Sequence, residues 1–80
     1  MFYAYVLKSL KNGRFYTGST NNIKRRLNEH NNGQTTYTSK TGPFELVYKE
    51  SYNTKIEAAG RERFLKTGKG RELLKSILDR

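Results

Sequence analysis

Phe2-Tyr3-Ala4-Tyr5-Val6-Leu7-Lys8, then Lys11-Asn12-Gly13, then Arg14-Phe15-Tyr16-Thr17-Gly18, is the stretch from which the fold can be read. Two runs rich in aromatic and branched side chains flank an Asn-Gly pair, and Asn-Gly tolerates the positive φ that a tight hairpin turn demands. The reading is therefore a β-hairpin. Alternation along the first arm places Tyr3, Tyr5 and Leu7 on one face and Phe2, Ala4 and Val6 on the other. Both faces are apolar, so both are expected to be covered. Tyr5 and Tyr16 belong to opposite arms, and their hydroxyls are expected to approach each other across the sheet.

Downstream the period changes. Thr20 to about Asn32 reads as a helix, with Thr20 or Asn21 as the expected N-cap and Asn31-Asn32-Gly33 as the stop. Ile23, Leu27 and His30 share one stripe at i, i+4 and i+7. Arg26 lies beside that stripe, so Arg26 and His30 are expected at the margin between core and solvent, with Lys24, Arg25, Asn28 and Glu29 pointing away. Gln34 to Pro43 reads as a polar loop around Tyr37. Phe44 to Glu50 reads as a third strand, with Leu46, Val47 and Tyr48 as partners for the hairpin. Thr54-Lys55-Ile56-Glu57 is a capping box that starts a second helix running to about Lys66, with Ile56, Ala59 and Phe64 as its untidy apolar positions. Thr67-Gly68-Lys69-Gly70 is expected to break that helix. Arg71 to Asp79 then forms a last one, striped by Leu73, Leu74, Ile77 and Leu78. The expected architecture is α/β (α+β): a three-stranded antiparallel sheet flanked by helices, in the order β-β-α-β-α-α.

The chain has 80 residues, which suits one domain over 1–80. Sixteen Lys and Arg against seven Asp and Glu give a formal net charge of +9, so the favoured partner is a polyanion. Nucleic acid fits that charge better than lipid, because no helix pairs a basic face with a strongly apolar one. No membrane span is expected, and no signal segment, so the chain is read as soluble and cytoplasmic. There is no cysteine and one histidine, which excludes a disulfide framework and zinc sites built from those ligands. A Ser-His-Asp arrangement would need His30 with Asp79, near the C-terminus. Gly68-Lys69-Gly70 lacks the spacing of a phosphate loop. What remains is a set of tyrosines on adjacent strands, an arginine and a histidine one turn apart, and a glutamate on a later helix.

In their order, Tyr3-Ala4-Tyr5, Tyr16-Thr17-Gly18, Arg26 and His30 resemble the GIY-YIG nuclease family, whose name records two tripeptides on its hairpin. The likeness continues through Tyr37-Thr38, Leu46-Val47-Tyr48 and Glu57-Ala58 to Arg61-Glu62 and Lys66. It covers nearly the whole chain and points to the small, single-domain bacterial members related to the N-terminal endonuclease domain of the repair excinuclease. The resemblance implies a GIY-YIG-like fold and a metal-dependent endonuclease that hydrolyses phosphodiester bonds. It also implies a role in repair or recombination, with DNA ahead of RNA as substrate and a protein partner left to supply target specificity.

Position by position, the resemblance implies Tyr5, Tyr16, Arg26, His30 and Glu62 as the site. Glu62 would be the one protein carboxylate on Mg²⁺ or Mn²⁺, hard ions that keep several waters. Arg26 would hydrogen-bond the scissile phosphate. Tyr5, aided by Tyr16 and His30, would orient and deprotonate the attacking water. A free phenol has a pKa near ~10, so this step needs phenolate favoured by Arg26, the metal and the positive field. Lys24, Arg25 and Lys66 are the expected phosphate contacts. Each residue also has a plainer role: Glu57 as capping residue, Glu62 as the i,i+4 partner of Lys66, His30 as a helix-end histidine, and Lys24 and Arg25 as a solvated face. The stretch Lys69 to Leu74 carries no asparagine where many family members have one, so weak turnover is one expectation. A catalytically silent nucleic-acid-binding module and a protein-interaction domain with a basic face are the two alternatives.

Overall fold

The computed structural model describes residues 1–32 and 43–78. The expected Tyr37-Thr38 loop features and Asp79 lie outside them. Strands β1 (Phe2–Ser9) and β2 (Phe15–Thr20) form the hairpin, and helix α1 (Ile23–Asn31) follows. Strand β3 (Phe44–Tyr52) then precedes helices α2 (Lys55–Leu65) and α3 (Gly68–Leu78). The sheet order is β2-β1-β3, with both pairings antiparallel. The expected element order and fold class are thus the observed ones.

The turn closes as its residue types require. Gly13 takes φ +76°, a left-handed conformation that costs glycine nothing. The buried Ser9 hydroxyl accepts from the Lys11 and Asn12 amides at 3.2 Å each. The Asn12 carboxamide accepts from the Arg14 amide at 2.9 Å.

Each sheet face carries its own core. Tyr5, Leu7 and Phe44 pack with Ile23 and Leu27 of α1 on one side. On the other, Val6 packs with Leu65 of α2 and Leu74 of α3, joined by Val47, Tyr48 and Leu78. Leu7 pairs with Leu46 and Val6 with Tyr48, so Val47 is an extra residue in β3. This bulge lets the consecutive residues Val47 and Tyr48 both face α2 and α3, which strict alternation forbids.

Several expected boundaries move. The N-cap of α1 is Asn22, whose side chain accepts from the Arg25 amide at 3.0 Å, rather than Thr20 or Asn21. Thr20 is unavailable because it pairs with Tyr3 at the end of β2. The Thr54–Glu57 capping box forms as read. Its helix, however, buries Ala58 and Leu65, while Ile56 is 84% exposed. The break after α2 is confined to Lys66 and Thr67, and the two glycines that were expected to end the helix begin the next one. The Thr67 hydroxyl receives the Gly70 amide at 3.1 Å and donates to the Phe64 carbonyl at 2.6 Å. Gly70 is where a Cβ would run into the Phe64 carbonyl and Leu65 backbone, so its missing side chain is what lets α3 cross directly against α2.

Candidate active site

Tyr5 and Tyr16 sit on the α1 side of the sheet but are not directly opposite. Tyr5 pairs with Gly18, and Leu7 with Tyr16. A Cβ on Gly18 would lie 2.5 Å from the Tyr5 hydroxyl, so the ring of Tyr5 occupies the space above Gly18. That glycine lets a side chain from the central strand reach over the edge strand β2. The expected approach of the two tyrosines is realised indirectly, through α1. The Arg26 guanidinium interacts with both hydroxyls. The His30 ring meets Tyr16 edge-on at 4.7 Å between centroids, with Nε2 3.5 Å from the Tyr5 hydroxyl.

His30 is not at the core margin as its helical position suggested; it is 1% exposed. The reason lies beyond its own helix. The Asn31 carboxamide accepts from the Phe44 amide at 2.6 Å and donates to the Phe44 carbonyl at 3.2 Å, which ties the end of α1 to the start of β3. Phe44 then closes over His30, their centroids 6.0 Å apart. Burial lowers the His30 pKa below its ordinary value, and the Arg26 charge adds to that, so the imidazole is neutral. Its Nδ1 has no hydrogen-bond partner among the described residues.

The phenol of Tyr5 was expected to be drawn toward ionisation. Arg26 does act in that direction, but burial outweighs it, and Tyr5 is pushed above its ordinary value. Tyr5 is 2% exposed, whereas Tyr16 is half-buried and opens outward. Arg26 is held further toward its charged form, first by the Tyr5 hydroxyl and then by Glu29, whose Oε1 lies 3.1 Å from Nη1.

Glu62 approaches the same edge strand from the other face. Its Oε1 accepts from Ser19 Oγ at 2.7 Å and its Oε2 from Lys66 Nζ at 2.8 Å. Ser19 adjoins Gly18 and faces the opposite way, so the tyrosine group and the carboxylate meet across one strand. Burial pushes the Glu62 carboxyl up, but the bonds from Lys66 and Ser19 outweigh it and leave the pKa below the ordinary carboxylate value. Glu62 is therefore ionised, and Lys66 pairs with it one turn along the helix. Among the described residues no three His, Cys, Asp or Glu side chains come together. A divalent ion here would take Glu62 as its one protein carboxylate, with water and phosphate oxygens completing the shell; this donor set fits Mg²⁺ or Mn²⁺.

Tyr5, Tyr16, Arg26 and His30 are thus brought together, with Glu62 beside them. Lys66 joins through Glu62. Lys24 and Arg25 do not: both are exposed on the outer face of α1, where Arg25 pairs with Glu29 at 4.0 Å. Sequence reasoning missed Ser19. A serine following Tyr16-Thr17-Gly18 gives no local sign that it will meet a glutamate 43 positions later.

A small α/β domain with a three-stranded antiparallel sheet and this element order defines a class, and known proteins share it. The chain belongs to the GIY-YIG family, whose catalytic-domain model matches residues 1–75. It is 43% identical over 76 residues to a UPF0213 protein of Staphylococcus saprophyticus, covering 94% of this chain and 92% of the relative. It is 46% identical over 67 residues to a UPF0213 protein of Clostridium perfringens, covering 82% of this chain and 71% of that one. The solution structure of a UPF0213 protein from Bacillus halodurans superposes with a TM-score of 0.56 at 36% identity, covering 96% of this chain and 85% of that one. The family is one of endonucleases that are generally dependent on divalent metals. No described helix is long and apolar enough to cross a membrane.

Proposed function

We propose that residues 1–80 act as one cytoplasmic, divalent-metal-dependent endonuclease domain that hydrolyses phosphodiester bonds in nucleic acid, DNA ahead of RNA, in repair or recombination. The observation that carries this reading is the meeting of Tyr5, Tyr16, Arg26 and His30 with an ionised Glu62 across the edge strand β2. Glu62 would hold the metal, which when bound would supply charge neutralisation at the phosphate and the leaving oxygen. Arg26, charged and oriented by Glu29, hydrogen-bonds the phosphate as negative charge grows on it.

The burial of the tyrosines divides their work. Tyr16 is the one that reaches solvent, and its hydroxyl orients the attacking water, whose proton passes to bulk solvent. Tyr5 stays protonated beneath it and positions Arg26. Water forms the new bond to phosphorus, the bond to the leaving oxygen breaks, and that oxygen recovers a proton from solvent. This replaces the expected role of Tyr5 as base, which its burial and raised pKa oppose.

The test is cleavage of labelled single-stranded, duplex, flap and branched substrates with Mg²⁺ or Mn²⁺, beside EDTA and Glu62→Ala controls. Cleavage abolished in both controls is the expected result. Binding without cleavage under either metal would leave a silent nucleic-acid-binding module instead.

A further inference from the structure

A groove of about 750 Å³ runs between the hairpin tip and the junction of α2 with α3. Its size is within the roughly 300–1,000 Å³ of sites that hold small ligands. Arg14, Phe15, Tyr16, Lys66, Arg71 and Lys75 line it, and no carboxylate does. Arg14, Arg71 and Lys75 are exposed and, among the described residues, make no ion pair, whereas Arg25, Arg26, Arg61 and Lys66 all do. Phe15 is 42% exposed on the edge strand, one residue before Tyr16. An exposed aromatic face beside unpaired cations offers a base a stacking partner and its phosphates countercharge at the same place. The depression on α1 lined by Lys24 and Arg25 also contains Glu29 and has no aromatic lining.

We infer that this groove seats an unpaired nucleic-acid strand, with one base stacked on Phe15 and its phosphates against Arg14, Arg71 and Lys75. Bases in a duplex stack on one another and offer no free face to Phe15, whereas unpaired bases do. The groove also has a direction. Tyr16 and Lys66 belong both to it and to the candidate active site, since Lys66 bonds Glu62 and Tyr16 contacts His30. A strand lying in it therefore leads from the stacking residue to the catalytic edge of β2. Lys66 exchanges its bond to Glu62 for a phosphate as the strand arrives. This inference rests on the nuclease reading for its purpose, but the groove's binding is separable from turnover.

The experiment is anisotropy of the intact chain with a labelled oligonucleotide in EDTA, so that binding is read without cleavage. DNA and RNA single strands of one sequence are compared with their duplexes. Phe15→Ala is expected to weaken single-strand binding roughly 5- to 150-fold, the range for losing one stacked base, with little effect on duplex binding. Phe15→Tyr, which keeps the ring, is expected to bind like the wild type. Arg71→Gln with Lys75→Gln is expected to flatten the dependence on log salt by roughly 0.7 per contact, about 1.4 in all. All these positions are exposed, and circular dichroism checks the fold of each variant. Equal binding of duplex and single strand, with Phe15→Ala neutral, would overturn the inference and leave a nonspecific phosphate surface. Cleavage with neutral groove variants sinks the groove and spares the nuclease; groove-dependent binding without cleavage does the reverse.

Discussion

The two edges of the sheet carry nearly the same residue types and differ in what those residues can still do. The β3 edge holds Tyr48, Glu50 and Tyr52 against Arg61, and the β2 edge gathers Tyr5, Tyr16, Arg26 and Glu62. On β3 the arginine and glutamate neutralise each other directly, at 2.7 Å between Arg61 Nε and Glu50 Oε1. Tyr52 donates to the other oxygen of Glu50 at 3.3 Å, and the Arg61 guanidinium is covered by the Phe64 ring at 4.9 Å. Burial and the Glu50 charge push both Tyr48 and Tyr52 above their ordinary values. That edge is a closed network. On β2, Arg26 and Glu62 never meet; Glu29 holds one, and Lys66 and Ser19 the other. Separate partners keep a cation and an anion apart yet charged, which is what a phosphate and a metal require. Two tyrosines, an arginine and a glutamate therefore do not define a site until their pairing is known.

Exchanging the arginines tests that contrast most severely. Arg26→Ala is expected to lower cleavage roughly 10²- to 10³-fold, as loss of a donor to a developing oxyanion does, with modest change in thermal midpoint. Arg61→Ala is expected to leave cleavage within a few-fold of wild type and to cost about 1–3 kcal/mol of stability by stranding a part-buried carboxylate. Chemical denaturation and single-turnover rates on the same samples separate the two effects. Equal loss of cleavage from both variants would erase the distinction between the edges.

A smaller effect is expected from Gly18→Ala. The added methyl meets the Tyr5 ring, which must tilt away from Arg26 and His30. Cleavage should fall at least about tenfold, with about 1–3 kcal/mol of destabilisation from overpacking. Gly60→Ala, which meets nothing within 4 Å, is the matched control and should be silent or mildly stabilising. A Gly18→Ala enzyme with unaltered turnover would show that Tyr5 need not lie where it does.

The smallest expected effect is one of pH. His30 has its pKa lowered in the fold by burial, so the unfolded chain binds the proton more readily. Stability should be unaffected well above the ordinary value of 6.5 and should decline as pH falls below it. Glu62, whose folded pKa is also lowered, adds a second loss of the same sign that begins near 4.5. A His30→Gln variant should lose the first decline and keep the second. Denaturant midpoints across this range would decide it; a wild-type midpoint that rises as the solution becomes more acid would show that His30 is not buried neutral.

Local signals carried much of the architecture. The Asn12-Gly13 turn, the capping box at Thr54 and the Ile23-Leu27-His30 stripe each depend on residues a few positions apart, and each formed. So did the membership of Tyr5, Tyr16, Arg26 and His30 in one group, because a hairpin and the next helix are neighbours by construction. What failed locally failed for identifiable reasons. Gly68 and Gly70 looked like a helix break because their intrinsic preference is poor, but close packing of α3 on α2 needs a position without a side chain. His30 looked marginal because its cover, Phe44, comes from another element.

The sequence by itself determined the element order, the turn and cap chemistry, the basic character and the types of residue available for catalysis. All of these follow from short-range sterics, periodicity and charge. Only the tertiary structure decided that Tyr5 lies over Gly18, that Ser19 and Lys66 hold Glu62 at the same edge, and that Phe15 shares a groove with Arg71 and Lys75. Those relations depend on strand register and on helices packing from opposite faces. Both are settled by many weak contacts between residues far apart in the chain, which no window of neighbouring residues contains.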